Sequence, residues 1–160
     1  MIRPLLLGCL LLLSACASRA PLPVQTPTLA LPLQLHIERE QAGQRQDWLL
    51  VIQHEAGGLR WSLMDPLGIP LARQRLSDGE WQADGLLPPN PQARELFAAL
   101  LFALTLPAEL PANYPTAQQQ PRRRALDDRW HVNYRRALEF TLSLPDSLQY
   151  RISPLSETAP

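Results

Sequence analysis

Apolar and polar residues alternate along much of the chain between residues 31 and 83. Leu33, Leu35 and Ile37, for example, are separated by the polar residues Gln34 and His36. Such alternation is typical of strands with one buried face. Short segments rich in Gly, Asp and Pro separate the apolar runs, which predicts an antiparallel meander. The strands expected in this half are 31–37, 48–52, 59–63, 69–76 and a short one around Trp81.

The period changes at residue 90. Asn90 is a good helix cap, and Pro91 suits the first helical position, so a helix is predicted from residue 91 to residue 106, where Pro107 ends it. Residues 107–121 are interrupted by prolines and are expected to be irregular, and strand alternation returns over 130–134, 138–144 and 148–152. The pattern predicts a mainly β fold with some α (α+β), in which one main helix packs on an open antiparallel sheet. Residues 31–155 form the domain and 156–160 a tail.

The predicted helix is apolar on every side. Residues 96–104 read LFAALLFAL and contain no polar side chain, whereas a helix on a sheet needs only one apolar stripe. Three covers fit this excess: the segment 107–121, a second chain, or an acyl chain held in an open space beside the helix. In the last case the large apolar residues of the core also line the cavity; these are Trp48, Trp61, Leu63, Trp81, Phe97, Leu101, Trp130 and Phe140.

A turn with an apolar tip follows the third predicted strand. It reads WSLMDPLGIPL over residues 61–71, and its turn residues surround Leu67 and precede Ile69. Turn tips are usually polar because water surrounds them. Leu67 and Ile69 therefore either contact a membrane or an incoming chain, or fold back onto the edge of the sheet.

The N-terminal residues predict export and a lipid anchor. A basic start, a short apolar run and small residues up to position 15 are typical of a signal peptide that is removed. The ending Leu-Ser-Ala-Cys matches the bacterial lipobox, a resemblance that implies lipid attachment at Cys16 and, with Ala17 next, an outer-membrane location facing the periplasm. Residues 16–30 are rich in proline and are expected to be an extended tether.

Charge and residue chemistry give no sign of catalysis. The formal net charge is zero, which argues against a nucleic-acid surface. His36, His54 and His131 are too scattered for a metal site, and there is no nucleophile motif or phosphate loop. The run 122–124 of three arginines is expected to be a solvated loop, the alternative being contact with anionic head groups of a membrane. The expectation is a monomeric non-enzyme with no metal and no cofactor apart from the covalent lipid on Cys16.

Several of these features together resemble the localisation-of-lipoproteins family. They are the lipobox, the motif DPLG at 65–68, the capped helix, and the sequences RWHVNY at 129–134 and LEFTLSLPDSLQYRI at 138–152. The chain is more similar to the LolB receptor, and to small outer-membrane lipoproteins related to it, than to the carrier LolA. The resemblance implies an open half-barrel with the helix on its concave face and an apolar cavity between them.

The resemblance also implies a function. Such a protein binds an acyl or polyenyl chain and helps its transfer or insertion at the outer membrane, with the loop at Leu67 meeting the lipid and a LolA-like periplasmic carrier as a partner. The alternative is a non-enzymatic scaffold or assembly lipoprotein whose apolar helix packs against a protein partner.

Overall fold

The computed structural model describes residues 19–155, which form a ten-stranded antiparallel sheet and two helices. The predicted signal peptide, Cys16 and the tail 156–160 lie outside the described residues. The strands are β1 Leu33–Gln41, β2 Gln44–Glu55, β3 Gly58–Met64, β4 Pro70–Ser77, β5 Glu80–Ala83, β6 Ala117–Gln120, β7 Arg123–Leu126, β8 Trp130–Arg136, β9 Glu139–Leu144 and β10 Leu148–Pro154. The helices are α1 Pro91–Leu104 and α2 Leu110–Asn113.

The sheet is built from two meanders that meet in its middle. The strand order is β5-β4-β3-β2-β1-β10-β9-β8-β7-β6, so β1 pairs with both β2 and β10. Strands β5 and β6 are joined by residues 84–116 and lie at opposite edges of the sheet. The chain between them must therefore cross the sheet, and α1 lies in that crossing segment. The prediction of a mainly β fold with an open antiparallel sheet is confirmed.

One face of the sheet carries the core. The register places Leu50 opposite Leu63, and Trp61 opposite Gln74, so that alternate residues of neighbouring strands share this face. Almost all of the fully buried side chains of the strands belong to it, together with those of α1. The alternation in the sequence had indicated this face because successive strand residues point to opposite sides.

Helix α1 begins as predicted and ends two residues early. The side chain of Asn90 accepts a hydrogen bond from the backbone N–H of Ala93 at 3.0 Å, and Pro91 occupies the first turn. At the other end, the Thr105 hydroxyl donates to the carbonyl of Leu101 at 2.7 Å. This local bond, together with the extended backbone of Thr105, ends the helix before Pro107 is reached.

Two expectations for residues 107–124 were wrong. The proline-rich segment is not irregular throughout, because it contains α2 and the edge strand β6. Arg123 and Arg124 are not in a loop but in β7, where Arg124 is buried. Strand β6 has three exposed glutamines, so its sequence lacks the apolar alternation by which a strand is usually recognised.

The second face of α1 is covered by the chain itself. The side chains from Leu96 to Phe102 are completely buried. One cover is the segment 107–114, in which Leu110 and Tyr114 are buried and the Tyr114 ring meets Phe102 edge-on with centroids 5.0 Å apart. Among the three covers considered for the helix, this structure therefore contains the first.

The other cover is the N-terminal segment 20–31, here called the strap. Its Ala20, Leu22, Leu29 and Leu31 pack against the core. Where the sequence predicts a tether that stands free of the domain, the structure packs residues 20–30 onto it. Proline-rich chain suits this position because it is extended and has few backbone donors to satisfy. No helix among residues 19–155 is long and apolar enough to span a membrane.

Candidate functional site

The turn at 65–69 presents apolar side chains on a well-ordered frame. The Asp65 carboxylate accepts hydrogen bonds from the backbone N–H groups of Leu67 and Ile69, both at 2.9 Å. Gly68 has a φ of +82° and donates to the Asp65 carbonyl at 2.9 Å. Leu67 is 86% exposed and Ile69 is 55% exposed. The alternative that Leu67 folds back onto the sheet edge is therefore not what the structure shows.

The residues expected to line a cavity lie mostly in the closed core. Trp61, Leu63, Phe97, Leu101, Trp130 and Phe140 are all buried, and none of them lines any of four clefts on the described surface. Phe97 packs against Trp61 and Trp81 with centroids 5.4 and 5.8 Å apart. Of the eight residues, Trp81 alone borders one of these clefts, beside Pro91 and the start of the strap.

A groove of about 590 Å³ lies at the C-terminal end of α1 and is here called the helix-end groove. Its walls are the strap at 28–30, residues 103–107, and the β6–β7 and β8–β9 turns. This volume lies within the usual range of small-ligand sites. The apolar part of its lining comes mainly from five leucines: Leu29, Leu33, Leu104, Leu106 and Leu138.

The groove and the apolar turn are at opposite ends of the sheet. Leu33, which begins β1, and the β8–β9 turn belong to one end of the strands. The turn at 65–69 follows Met64, which pairs with Leu49 towards the other end of β2. A chain held in the helix-end groove would therefore not touch Leu67 in this conformation.

A buried cation lies beside the groove. Arg124 donates from Nη1 to the carbonyls of Phe102, Ala103 and Thr105 at 3.2, 3.3 and 2.6 Å. These carbonyls lie at and just beyond the negative end of the helix dipole, which a cation stabilises. The guanidinium also stacks on Tyr134, whose hydroxyl donates to the Ala103 carbonyl at 2.7 Å. Burial raises the pKa of Tyr134 to about 12, so it remains a donor.

The arginines of the groove were missed as site residues by the sequence reading. Arg122, Arg124, Arg135 and Arg136 all border it, and its lining includes no Asp or Glu. Arg122 and Arg135 are exposed, while Arg136 forms an ion pair with Glu139 at 3.3 Å. The run at 122–124 was visible in the sequence, but only the strand pairing of β7 with β8 brings it next to residues 135 and 136.

The strap is held in place by hydrogen bonds at two points. Thr28 donates from its backbone N–H and its hydroxyl to the Glu109 carboxylate at 2.9 and 2.7 Å. Nearer the N-terminus, the backbone N–H of Val24 donates to the carbonyl oxygen of Asn113, and the backbone N–H of Gln25 donates to its side-chain oxygen. The bonds from Thr28 lower the pKa of Glu109. These polar contacts add to the apolar packing that holds the strap on the core.

The remaining candidate residues show no convergence. His36 pairs with Asp47 at 2.8 Å, and no three His, Cys, Asp or Glu side chains within residues 19–155 could share a metal ion. Comparison with known proteins gives no further guide, because no family model and no curated sequence matches this chain.

Proposed function

We propose that this protein is a non-enzymatic lipoprotein of the outer membrane, attached through Cys16 and facing the periplasm, which binds a hydrophobic acyl or polyenyl chain and assists its transfer or insertion. The helix-end groove is the observation that carries this proposal. It combines five leucines with a size suited to one ligand, and one of its walls is the strap. The resemblance to LolB-like proteins adds support through the lipobox and the DPLG turn.

The site proposed here differs in place from the cavity expected beneath the helix. Since Leu96 to Phe102 are already buried by the protein's own residues, no guest is needed to cover them. The chain instead lies where the apolar surface is still open, between the strap and the β8–β9 turn. A LolA-like carrier and the exposed Leu67 then belong to delivery and membrane contact, not to the binding groove itself.

The alternative role, a scaffold that binds a partner through α1, has less support. Nine of the residues of α1 are buried, so a partner would first have to displace the strap or the segment 107–114. The exposed apolar residues in the described part of the chain, such as Leu67 and Leu86, lie outside the helix.

The test is acyl-chain binding by the full chain carrying Cys16→Ala, so that no covalent lipid competes for the groove. Native mass spectrometry should show a co-purified lipid, or a bound neutral 16-carbon monoacylglycerol after its addition. Leu106→Asn removes an apolar groove residue that is 47% exposed and should weaken binding about fivefold, since half-burying a leucine contributes about 1 kcal/mol.

Leu86→Asn is the matched control. Leu86 is fully exposed and does not border the groove, so this variant should bind as the parent protein does. The proposal is wrong if the parent protein binds no acyl chain, and the location is wrong if both leucine variants behave alike.

A further inference from the structure

The charged residues that line the helix-end groove are all arginines. Four of its lining residues are arginines and none is acidic, although the whole chain has a formal net charge of zero. Elsewhere arginines meet carboxylates directly, as Arg60 does with Glu55 at 2.8 Å and Asp84 at 2.6 Å. The groove thus concentrates positive charge beside apolar walls.

Arg124 carries a charge that the protein only partly balances. It is 7% exposed, and within residues 19–155 no carboxylate forms an ion pair with it. Its partners are the carbonyls at the end of α1, and a helix terminus supplies only about half an elementary charge. A buried charge is costly unless it is paired. An anion in the groove would complete the pairing.

Arg122 and Arg135 extend this field to the mouth of the groove. Both are exposed, and neither forms an ion pair with another described residue. Guanidinium groups bind carboxylates and phosphates through paired N–H donors. The acidic residue nearest to Arg135 in sequence, Glu139, already forms an ion pair with Arg136.

We propose that the helix-end groove selects single-chain lipids with an anionic head group, whose negative charge is bound by Arg122 and Arg135 and also balances the buried charge of Arg124. The inference rests on the proposed function, since it names the kind of chain that the same groove accepts. The leucines take the hydrocarbon and the arginines the head group, so charge, not chain length alone, decides which lipid binds.

The experiment compares palmitate with neutral 1-palmitoylglycerol, which has the same acyl chain, on the full chain carrying Cys16→Ala. At low ionic strength palmitate should bind about tenfold more tightly, and the ratio should shrink as salt is raised. In the double variant Arg122→Gln/Arg135→Gln the ratio should fall to about two or less, with little change for the neutral lipid. Arg124→Gln should lower the ratio further.

Arg123→Gln is the matched control. Arg123 is exposed in the same basic run but does not border the groove, so the ratio should stay at its parent value. Because Arg124→Gln also removes bonds to the end of α1, the exposed pair Arg122 and Arg135 keeps the test independent of folding. Excess acetate should not displace palmitate, since the anion is held as part of a lipid.

Four results would overturn the inference. Equal affinity of the parent protein for the two lipids refutes charge selection while leaving chain binding intact. An unchanged ratio in the double variant would show that Arg122 and Arg135 do not bind the head group. Displacement of palmitate by acetate would show that the groove binds a free anion and not a lipid. Binding of neither lipid refutes both this inference and the proposed function.

Discussion

The charged side chains near the two ends of α1 have different kinds of partner. Near the N-terminal end, Glu95 accepts hydrogen bonds from Arg129 at 2.8 and 2.6 Å and from the indole N–H of Trp130 at 2.7 Å. A full negative charge meets a full positive one, and the bonds to Glu95 raise the pKa of Arg129. At the C-terminal end, Arg124 has only carbonyl oxygens as partners.

The packing follows the same division. Phe97, towards the N-terminal end, is fully buried against Trp61 and Trp81, whereas Leu104, at the other end, is half-buried beside the helix-end groove. At the N-terminal end the charge is paired and Phe97 is buried, although a cleft lies beside Pro91 and Trp81. At the C-terminal end Arg124 has no carboxylate partner among the described residues, and an apolar groove lies beside it. Incomplete pairing next to an apolar surface is what a ligand can complete, so we expect stability to depend on the first end and binding on the second.

The largest effect should come from truncating the packed end. Phe97→Ala should lower the free energy of unfolding by about 3–5 kcal/mol, because a fully buried ring is replaced by a cavity. The matched variant Leu104→Ala should cost about 1–2 kcal/mol, because this leucine is only half-buried. Urea unfolding followed by tryptophan fluorescence measures both. Equal losses would show that the two ends are packed alike.

Breaking the ion pair near the N-terminal end of α1 should have an intermediate effect on stability. Glu95→Ala should lower the free energy of unfolding by about 2 kcal/mol, since it removes the part-buried carboxylate that accepts hydrogen bonds from Arg129 and from the Trp130 indole N–H. Both side chains of the pair are 25% exposed, so water screens it only in part. Glu139→Ala, which removes the more exposed pair with Arg136, should change stability by no more than about 0.5 kcal/mol. A similar loss in both variants would contradict the comparison.

The smallest effect on stability concerns the strap beside the helix-end groove, and it depends on pH. The bonds from Thr28 lower the pKa of Glu109 below its ordinary value of 4.5. A carboxyl with a lowered folded pKa stabilises the fold fully above its unfolded pKa, and this contribution is lost as the pH falls through the folded value. Thr28→Ala should therefore be less stable than the parent at pH 7, with the difference beginning to fall near pH 4.5 and disappearing only below the lowered pKa of folded Glu109. Denaturant unfolding across pH 3 to 7 (about five points) measures it. A difference that is constant with pH would show that Glu109 does not hold the strap.

The sequence was a good guide to elements with strong local signals. Alternation identified most strands of both meanders, and Asn90 with Pro91 located the start of α1, because these patterns arise from neighbouring residues. It failed for β6, whose glutamines lie at an exposed edge, and for β7, where Arg124 is buried by partners at Phe102 and Ala103.

The candidate site was harder to predict for the same reason. The apolar turn at Leu67 was found because five consecutive residues define it, and its exposure agrees with one of the two readings considered. The helix-end groove is assembled from the strap, the end of α1 and two hairpin turns far apart in sequence. No local pattern reports such an assembly. The apolar circumference of α1 correctly demanded a second cover, but the composition of the strap pointed to a free linker instead.

If Cys16 is lipidated as proposed, the docked strap also limits how far the domain can stand from the bilayer. Three residues lie between the anchor and the packed Ala20, so an extended chain would span about 13 Å between them. If the strap were released up to Leu33, the extended chain between Cys16 and the packed domain would span about 56 Å. The motion that opens the groove would then also let the domain reach farther into the periplasm, because the strap is both a wall of the groove and the segment that joins the domain to its anchor.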